Sequence, residues 1–191
     1  MSTTAEQPLQ IQTTWQSAWR PERIGTLLFL VHDGQVLLIH KKTGHGAGVI
    51  NGPGGKLQAG ESLVECAVRE VQEEVGVTVS NVVCRAEMRF VEEQGTQWLG
   101  YAFIATQFSG DPYETEEAKP FWCPLDAIPF DKMWPDDKRW LPRVLASDAG
   151  PPFIIDVLLR ADELIADKFL AQTEMSLNPQ QRYLGWPGIN R

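Results

Sequence analysis

GGKLQAGESLVECAVREVQEEVGV, Gly54 to Val77, gathers Glu70, Glu73 and Glu74 within five residues, with Arg69 as the adjacent cation. Carboxylates this close on one helix repel each other, so the grouping requires an offsetting charge. The helix itself is well specified. Ser62 to Glu65 reads as a capping box and Gly76 as a C-terminal stop, which predicts a helix over Leu63 to Val75. At the helical period Val64, Ala67, Val68, Val71 and Val75 make one apolar stripe. Glu70, Glu73 and Glu74 fall on a separate arc, which is expected to face away from the core.

A solvated acidic face is the common explanation of such a run, but a solubilising face mixes signs at i,i+4 spacing, and this one does not. The helix also follows a glycine-rich stretch from Gly44 to Gly55, six glycines in twelve residues, which lets the backbone approach a ligand closely. Carboxylate oxygens on one helical face beside backbone carbonyls suit Mg²⁺ or Mn²⁺, which take oxygen ligands and keep positions for water and phosphate. A bound divalent cation would relieve the crowding.

Gly55, five residues, Glu61, seven residues, then Arg69-Glu70-Val71-Gln72-Glu73-Glu74-Val75-Gly76-Val77 fills every fixed and aliphatic position of the Nudix box, and the chain resembles that family on these residues. A P-loop does not fit, because Ile50 stands where its first glycine belongs and Leu57 follows Lys56. The resemblance implies hydrolysis of a nucleoside diphosphate linked to another group. It implies Glu70 and Glu74 as metal ligands with the carbonyl of Gly54 or Gly55, and Glu73 as a further ligand or the base. Arg69 and Glu61 would be paired to hold loop to helix. Glu117 aligns with a carboxylate brought to the metal, with Glu114 and Glu116 close by in sequence.

Beyond the box, Lys41-Lys42, Gly46-Ala47-Gly48, Asn51-Gly52, Ile128-Pro129-Phe130 and Met133-Trp134-Pro135-Asp136-Asp137 resemble the oxidised purine nucleoside triphosphatases that act on 8-oxo-dGTP, over about Arg23 to Leu170. On that likeness Thr26, Lys41, Asn51, Trp134, Asp136 and Asp137 bind the substrate. The chemistry suits a purine. Trp134 offers a stacking face, Asn51 a donor and an acceptor, and adjacent buried acids can retain a proton and so both donate and accept. On the residues alone, Asp136 serves equally as a helix cap and Trp134 as a core side chain. His45 stands where relatives carry an aromatic and Ile50 where they carry a tryptophan, with Trp98 available to supply apolar surface. Those departures leave open the discrimination between oxidised guanine, oxidised adenine and ordinary purines. Other nucleoside di- or triphosphates and dinucleoside polyphosphates are the alternative substrates, and a nucleotide-binding Nudix fold without turnover is a further alternative that the retained box carboxylates oppose.

The formal net charge of −8 disfavours a nucleic-acid duplex as partner, since phosphate polyanions are held by basic surfaces. A small phosphate ligand is compatible if a metal supplies positive charge. Cys66, Cys84 and Cys123 have no ligand spacing and fit a reducing compartment, and His32, His40 and His45 make no metal pattern. No apolar run is long enough for a membrane span, so cytoplasmic residence is the expectation.

The chain divides into an extension over Met1 to Glu22, with Trp15 and Trp19 placed to form one packed turn, a domain over 23–170, and a polar tail from 171. Ile24 to Val31 and Val36 to His40 read as a hairpin about Asp33-Gly34. Val82 to Val91 and Trp98 to Phe108 read as strands, as does Phe121 to Cys123, and Asp136 to Ala146 as a helix. Phe153 to Leu159 and Leu164 to Leu170 fit period 2 and period 3.6 almost equally; the family likeness favours a hairpin. Strands interleaved with helices indicate an α+β or α/β layered core, and Nudix domains are α/β/α sandwiches around a mixed sheet.

Overall fold

A computed structural model describes residues 20–93, 95–148 and 150–170 of the chain. Trp15, Trp19 and the polar tail lie outside the described residues.

The runs LLFLV (27–31) and VLLI (36–39) are apolar at every position, the pattern of strands covered on both faces. They form β1 (Arg23–His32) and β2 (Gln35–Lys41). The expected turn joins them, with Asp33 and Gly34 both left-handed at φ 47° and 73°. After them come β3 (Ile50–Asn51) and β4 (Gly54–Lys56), helix α1 (Leu63–Val75), β5 (Thr78–Ser80), β6 (Val83–Glu92), β7 (Trp98–Ala105), β8 (Gln107–Ser109) and β9 (Ala118–Pro124). A short 3₁₀ turn at Phe130–Lys132, helix α2 (Asp137–Leu145), β10 (Phe153–Arg160) and β11 (Glu163–Leu170) complete the order.

Nine strands share one mixed sheet in the order β11-β10-β6-β7-β1-β2-β3, with β4 paired to β1 and β9 to β2. β1 runs parallel to β7, and β10 parallel to β6. The C-terminal segment is therefore the hairpin, whose β10 joins the sheet beside β6. The alternation of side chains gives two cores. Leu28, Leu30, Leu37, Ile39, Tyr101 and Phe103 pack with Leu63, Ala67, Val71 and Val75 of α1. Phe29, Val36, Leu38, Met88 and Ile155 pack with Trp140, Leu141 and Val144 of α2. The result is the expected α/β/α sandwich. Full burial of each such aliphatic side chain contributes about 1.5–3 kcal/mol.

The buried side of α1 differs from the stripe expected on polarity. It consists of Leu63, Cys66, Ala67, Glu70, Val71, Glu74 and Val75, while Val64 is 40% exposed. These positions follow the i, i+3, i+4, i+7 spacing without a break. Glu70 and Glu74 occupy the edge of the core-facing stripe and do not point away from it, which corrects the expectation that the acids share an arc turned from the core.

β1 and β2 hydrogen-bond directly only at Val31–Val36 and His32–Gln35. Beyond those pairs β1 stays with β7 and β4, and β2 with β9 and β3. The two strands diverge, and the glycine-rich stretch fills the gap. Pro21 is buried and Gln97 donates its backbone N–H to the Glu22 carboxylate, so packing begins ahead of β1. No helix among the described residues is long and apolar enough to cross a membrane.

Candidate active site

Where β1 and β2 part, a cavity of about 650 Å³ opens, lined by Thr26 of β1, Lys41 of β2, Asn51 of β3, Gly54 and Gly55 of β4, Glu70 of α1, and Trp134, Asp136 and Asp137 at the start of α2. Residues far apart in sequence thus meet in one place, with α1 contributing from one face of the sheet and α2 from the other.

On the α1 side the close packing of helix on strand decides the geometry. The Glu70 carboxylate lies against Gly55 so tightly that a Cβ there would collide with it. Residue sums in the β1–β4 ladder are constant, and Leu28 N–H donates to the Pro53 carbonyl while Leu57 N–H donates to the Ile24 carbonyl. The alternation of an antiparallel ladder then turns the backbone groups of Gly55 toward Thr26 and those of Gly54 away from β1. Gly54 N–H accordingly donates to Glu74 Oε2 at 2.9 Å. Of the two carbonyls considered, that of Gly54 is the one aimed at the acids.

Two cations hold the acids. Arg69 donates to Glu61 at 2.5 Å through Nε, and through Nη1 to Glu70 at 2.8 Å and Glu73 at 2.9 Å. The expected Arg69–Glu61 pair is present, and Glu61 also accepts from Gln58 N–H at 3.0 Å, which pins the loop before α1. Hydrogen bonding from Arg69 holds the Glu61 carboxyl below its ordinary range. Lys41 forms an ion pair with Glu74, whose side chain is completely covered. Lys41 was expected on the substrate; it lines the cavity, but its ammonium is engaged by Glu74. Burial pushes both Glu70 and Glu74 upward in pKa, opposed by Arg69 and Lys41 respectively.

Glu73 was grouped with Glu70 and Glu74. The structure separates it by exposure: its side chain is 53% exposed, whereas those of Glu70 and Glu74 are 12% and 0% exposed. Of Glu114, Glu116 and Glu117, Glu117 is the one that reaches the cavity wall. The loop carrying it is fastened to the end of α1. Tyr113 N–H donates to the Val75 carbonyl at 3.1 Å and Thr115 Oγ1 to the Glu74 carbonyl at 2.9 Å. Gly76 serves this contact twice, since its φ is +74° and a side chain there would strike the Tyr113 ring. Among the described residues no three acidic, histidine or cysteine side chains already converge as a metal site. The donor set nevertheless fits a hard cation: the Glu70 and Glu74 carboxylates, the Gly54 carbonyl and, across the cavity, Glu117 are all oxygen ligands.

On the α2 side the acids are buried without a cation. Asp136 is 4% and Asp137 2% exposed. Asp136 stands at the N-cap position of α2 but makes no capping hydrogen bond; its Oδ2 accepts from Trp140 Nε1 at 2.8 Å. Asp137 Oδ2 accepts the Trp134 N–H at 3.0 Å. Burial raises the pKa of both, and the neighbouring Asp136 adds to the upward push on Asp137. The pair is therefore harder to ionise than an exposed pair. Trp134 lies at the cavity wall and outside the core. Thr26 is buried and donates to Cys66 Sγ at 3.3 Å, and Asn51 Oδ1 accepts from Gly52 N–H at 2.8 Å.

His45, Trp98, Lys56 and Phe90 also line the cavity. In the sequence His45 is a departure from the relatives, Trp98 a source of apolar surface and Lys56 part of the family likeness, whereas no local spacing marks Phe90 or Thr115; what brings those two in is the pairing of β6 with β7 and the docking of the 110–117 loop.

A NUDIX domain model matches residues 21–144. The chain is 41% identical over 121 residues to the oxidized purine nucleoside triphosphate hydrolase of Danio rerio, covering 63% of this chain and 78% of that one. To the protein of the same name from Mus musculus it is 41% identical over 125 residues, covering 64% and 80%. The crystal structure of the MutT protein from Bacillus halodurans superposes with a TM-score of 0.66 at 28% identity, covering 77% of this chain and 97% of that one. The matched span contains the whole Gly55 to Val77 motif and both strands whose divergence opens the cavity, and the chain belongs to the Nudix family, whose hydrolases generally use a divalent metal.

Proposed function

We propose that this chain is a Mg²⁺-dependent pyrophosphohydrolase, with Mn²⁺ as a substitute, that converts oxidised purine nucleoside triphosphates of the 8-oxo-dGTP type to the monophosphate and pyrophosphate. The observation that carries the reading is one cavity lined both by Glu70 and Gly54, with Glu74 bonded to Gly54 N–H behind them, and by the buried Asp136–Asp137 pair. The names of the two relatives at 41% identity agree with it.

Glu70, Glu74, Glu117 and the Gly54 carbonyl would hold the metal. Bound there, the ion supplies positive charge to phosphate oxygens and to the leaving pyrophosphate. A water oxygen bonds to phosphorus as the bridging P–O bond breaks, and a carboxylate at the cavity wall takes the water proton. On the metal side of that wall the acids are Glu70 and Glu117. Glu73 is assigned to positioning, through Arg69. Arg69 and Glu61 fix α1 against the preceding loop, so that Glu70 stays over Gly55.

At the α2 side the shared proton of Asp136 and Asp137 gives the pair one donor among several acceptors. An oxidised purine presents N–H and C=O groups together on the edge where an unmodified purine has only a ring acceptor, and such a pair can match both. Trp140 orients Asp136, and Trp134 offers a flat face to the base. Nucleotide-pool sanitation in the cytoplasm, with three buried free cysteines in a reducing compartment, completes the proposal. No nucleic-acid duplex or membrane is required as partner.

Steady-state kinetics on a nucleotide panel with product chromatography test it. The expected result is release of pyrophosphate, dependent on Mg²⁺, with kcat/KM for 8-oxo-dGTP at least about tenfold above dGTP. Equal efficiency on the two would remove the sanitation role and leave a Nudix hydrolase of other nucleotides. Release of orthophosphate in place of pyrophosphate would overturn the assigned bond cleavage.

A further inference from the structure

The imidazole of His45 is stacked on two tryptophans. Its ring centroid lies 4.9 Å from that of Trp98 with planes 16° apart, and 5.4 Å from that of Trp134 with planes 21° apart. Both indoles line the cavity that holds Asn51, Asp136 and Asp137. A flat heteroaromatic ring on an indole face is the contact a nucleobase makes. Here that contact is made by the protein itself.

The imidazole is easily released. Among the described residues no hydrogen bond fixes it, and His45 remains open to solvent, so its departure uncovers no core. The loop bearing it is closed by backbone bonds alone, Gly48 N–H to the Lys41 carbonyl at 2.8 Å and Val49 N–H to the Gly46 carbonyl at 3.0 Å. Partial burial, with Lys56 and Lys41, lowers the His45 pKa against the opposing pull of Asp162, which favours the uncharged ring.

We propose that His45 is an internal stand-in for the nucleobase: a purine binds by taking the place of the imidazole on Trp98 and Trp134, which makes Trp98 a base-stacking residue and His45 a competitor of the substrate. This rests on the purine nucleotide reading above. The base stays bound from the ground state into the transition state, so displacement of His45 weighs on both equally. It raises KM and leaves kcat unchanged. The alternative is that His45 remains stacked as a fixed wall and the base packs elsewhere. The two arrangements predict opposite signs for the removal of the ring.

The test is equilibrium binding of 8-oxo-dGMP to the full chain by calorimetry, with proton NMR of the His45 ring in the unsubstituted protein. His45→Ala is expected to bind about fivefold more tightly, on the usual strength of a ring stack, with KM for the triphosphate lowered by a similar factor and kcat unmoved. Trp98→Leu is expected to bind several-fold more weakly. The His45 ring protons, shielded by the indoles in the free protein, are expected to move to the position of an exposed imidazole on saturation. Unchanged or weaker binding by His45→Ala, or ring protons that stay shielded with ligand bound, overturns the proposal while leaving the purine reading intact. Absence of any 8-oxo-dGMP binding to the unsubstituted protein overturns both.

Discussion

The two sides of the cavity treat carboxylates in opposite ways. On the α1 side four acids, Glu61, Glu70, Glu73 and Glu74, are shared between Arg69 and Lys41, and each is held by a cation. On the α2 side Asp136 and Asp137 are buried more deeply than any of these except Glu74, yet their hydrogen-bond partners are an indole N–H and a backbone N–H. The first arrangement keeps negative charge in place. The second pushes the pKa of both carboxyls upward. On the proposed reading the first set would serve a metal and the second a base edge, and the difference comes from cation placement rather than from residue type.

Substitutions that erase the charge on one side should leave the other working. The largest effect is expected from Glu70→Gln and Glu74→Gln, each lowering kcat/KM by roughly a hundredfold or more through loss of metal-borne charge stabilisation. Binding of 8-oxo-dGMP without metal should be nearly unaffected, and calorimetry checks that split. A loss of monophosphate binding equal to the loss of turnover would mean that the two sides are not separable.

Asp137→Asn should do the reverse, weakening 8-oxo-dGMP binding by about tenfold or more while preserving Mg²⁺-dependent turnover at saturation. It should also stabilise the fold. The folded-state pKa of Asp137 lies well above the ordinary aspartate value of 3.8, so its contribution to stability is full below that value and is lost as pH rises through the folded-state pKa. The amide has no proton to lose and can still accept the Trp134 N–H. A gain in melting temperature of about 3 °C is expected at pH 8, for roughly 1 kcal/mol, shrinking to nothing in acid. A gain independent of pH would contradict the shared proton.

Arg69→Ala removes the cation from three carboxylates at once, and with its side chain only 22% exposed the expected cost is about 2 kcal/mol at pH 7. Glu61 supplies the pH signature. Its pKa is lowered below 4.5 in the folded state, so this stabilisation is present above that value and lost as pH falls through the folded pKa. Melting curves of the two proteins should therefore converge in acid. The smallest effect belongs to Glu73→Gln: an exposed ion pair contributes about 0.2–1 kcal/mol, and turnover should fall by less than about threefold. A loss as large as that of Glu74→Gln would return Glu73 to the metal site.

Much of the α1 side was legible in the sequence because its determinants are local. Ser62 and Glu65 form both bonds of the capping box, Gly76 ends the helix, and the Arg69–Glu61 pair spans one loop. What misled was sorting α1 by polarity. The period alone places Glu70 and Glu74 with Leu63, Ala67, Val71 and Val75, and an acid can sit there because Lys41 and Gly54 come from other strands to meet it. The α2 side was legible as a list of residues but not as an arrangement. Nothing near Asp136 tells whether it caps the helix or receives the Trp140 indole, since that depends on how Trp140 packs beneath the sheet. The stacking of His45 on Trp98 was least visible, because it follows from strand pairing across 53 positions of sequence separation, 45 to 98.

A crystal structure with Mg²⁺ and 8-oxo-dGMP bound tests the central claim most directly. The account predicts the purine edge on Asp136 and Asp137, with Mg²⁺ on Glu70, Glu74 and the Gly54 carbonyl and Lys41 withdrawn from Glu74. A base lodged away from the aspartate pair, or Mg²⁺ bound elsewhere while Lys41 still holds Glu74, would contradict it.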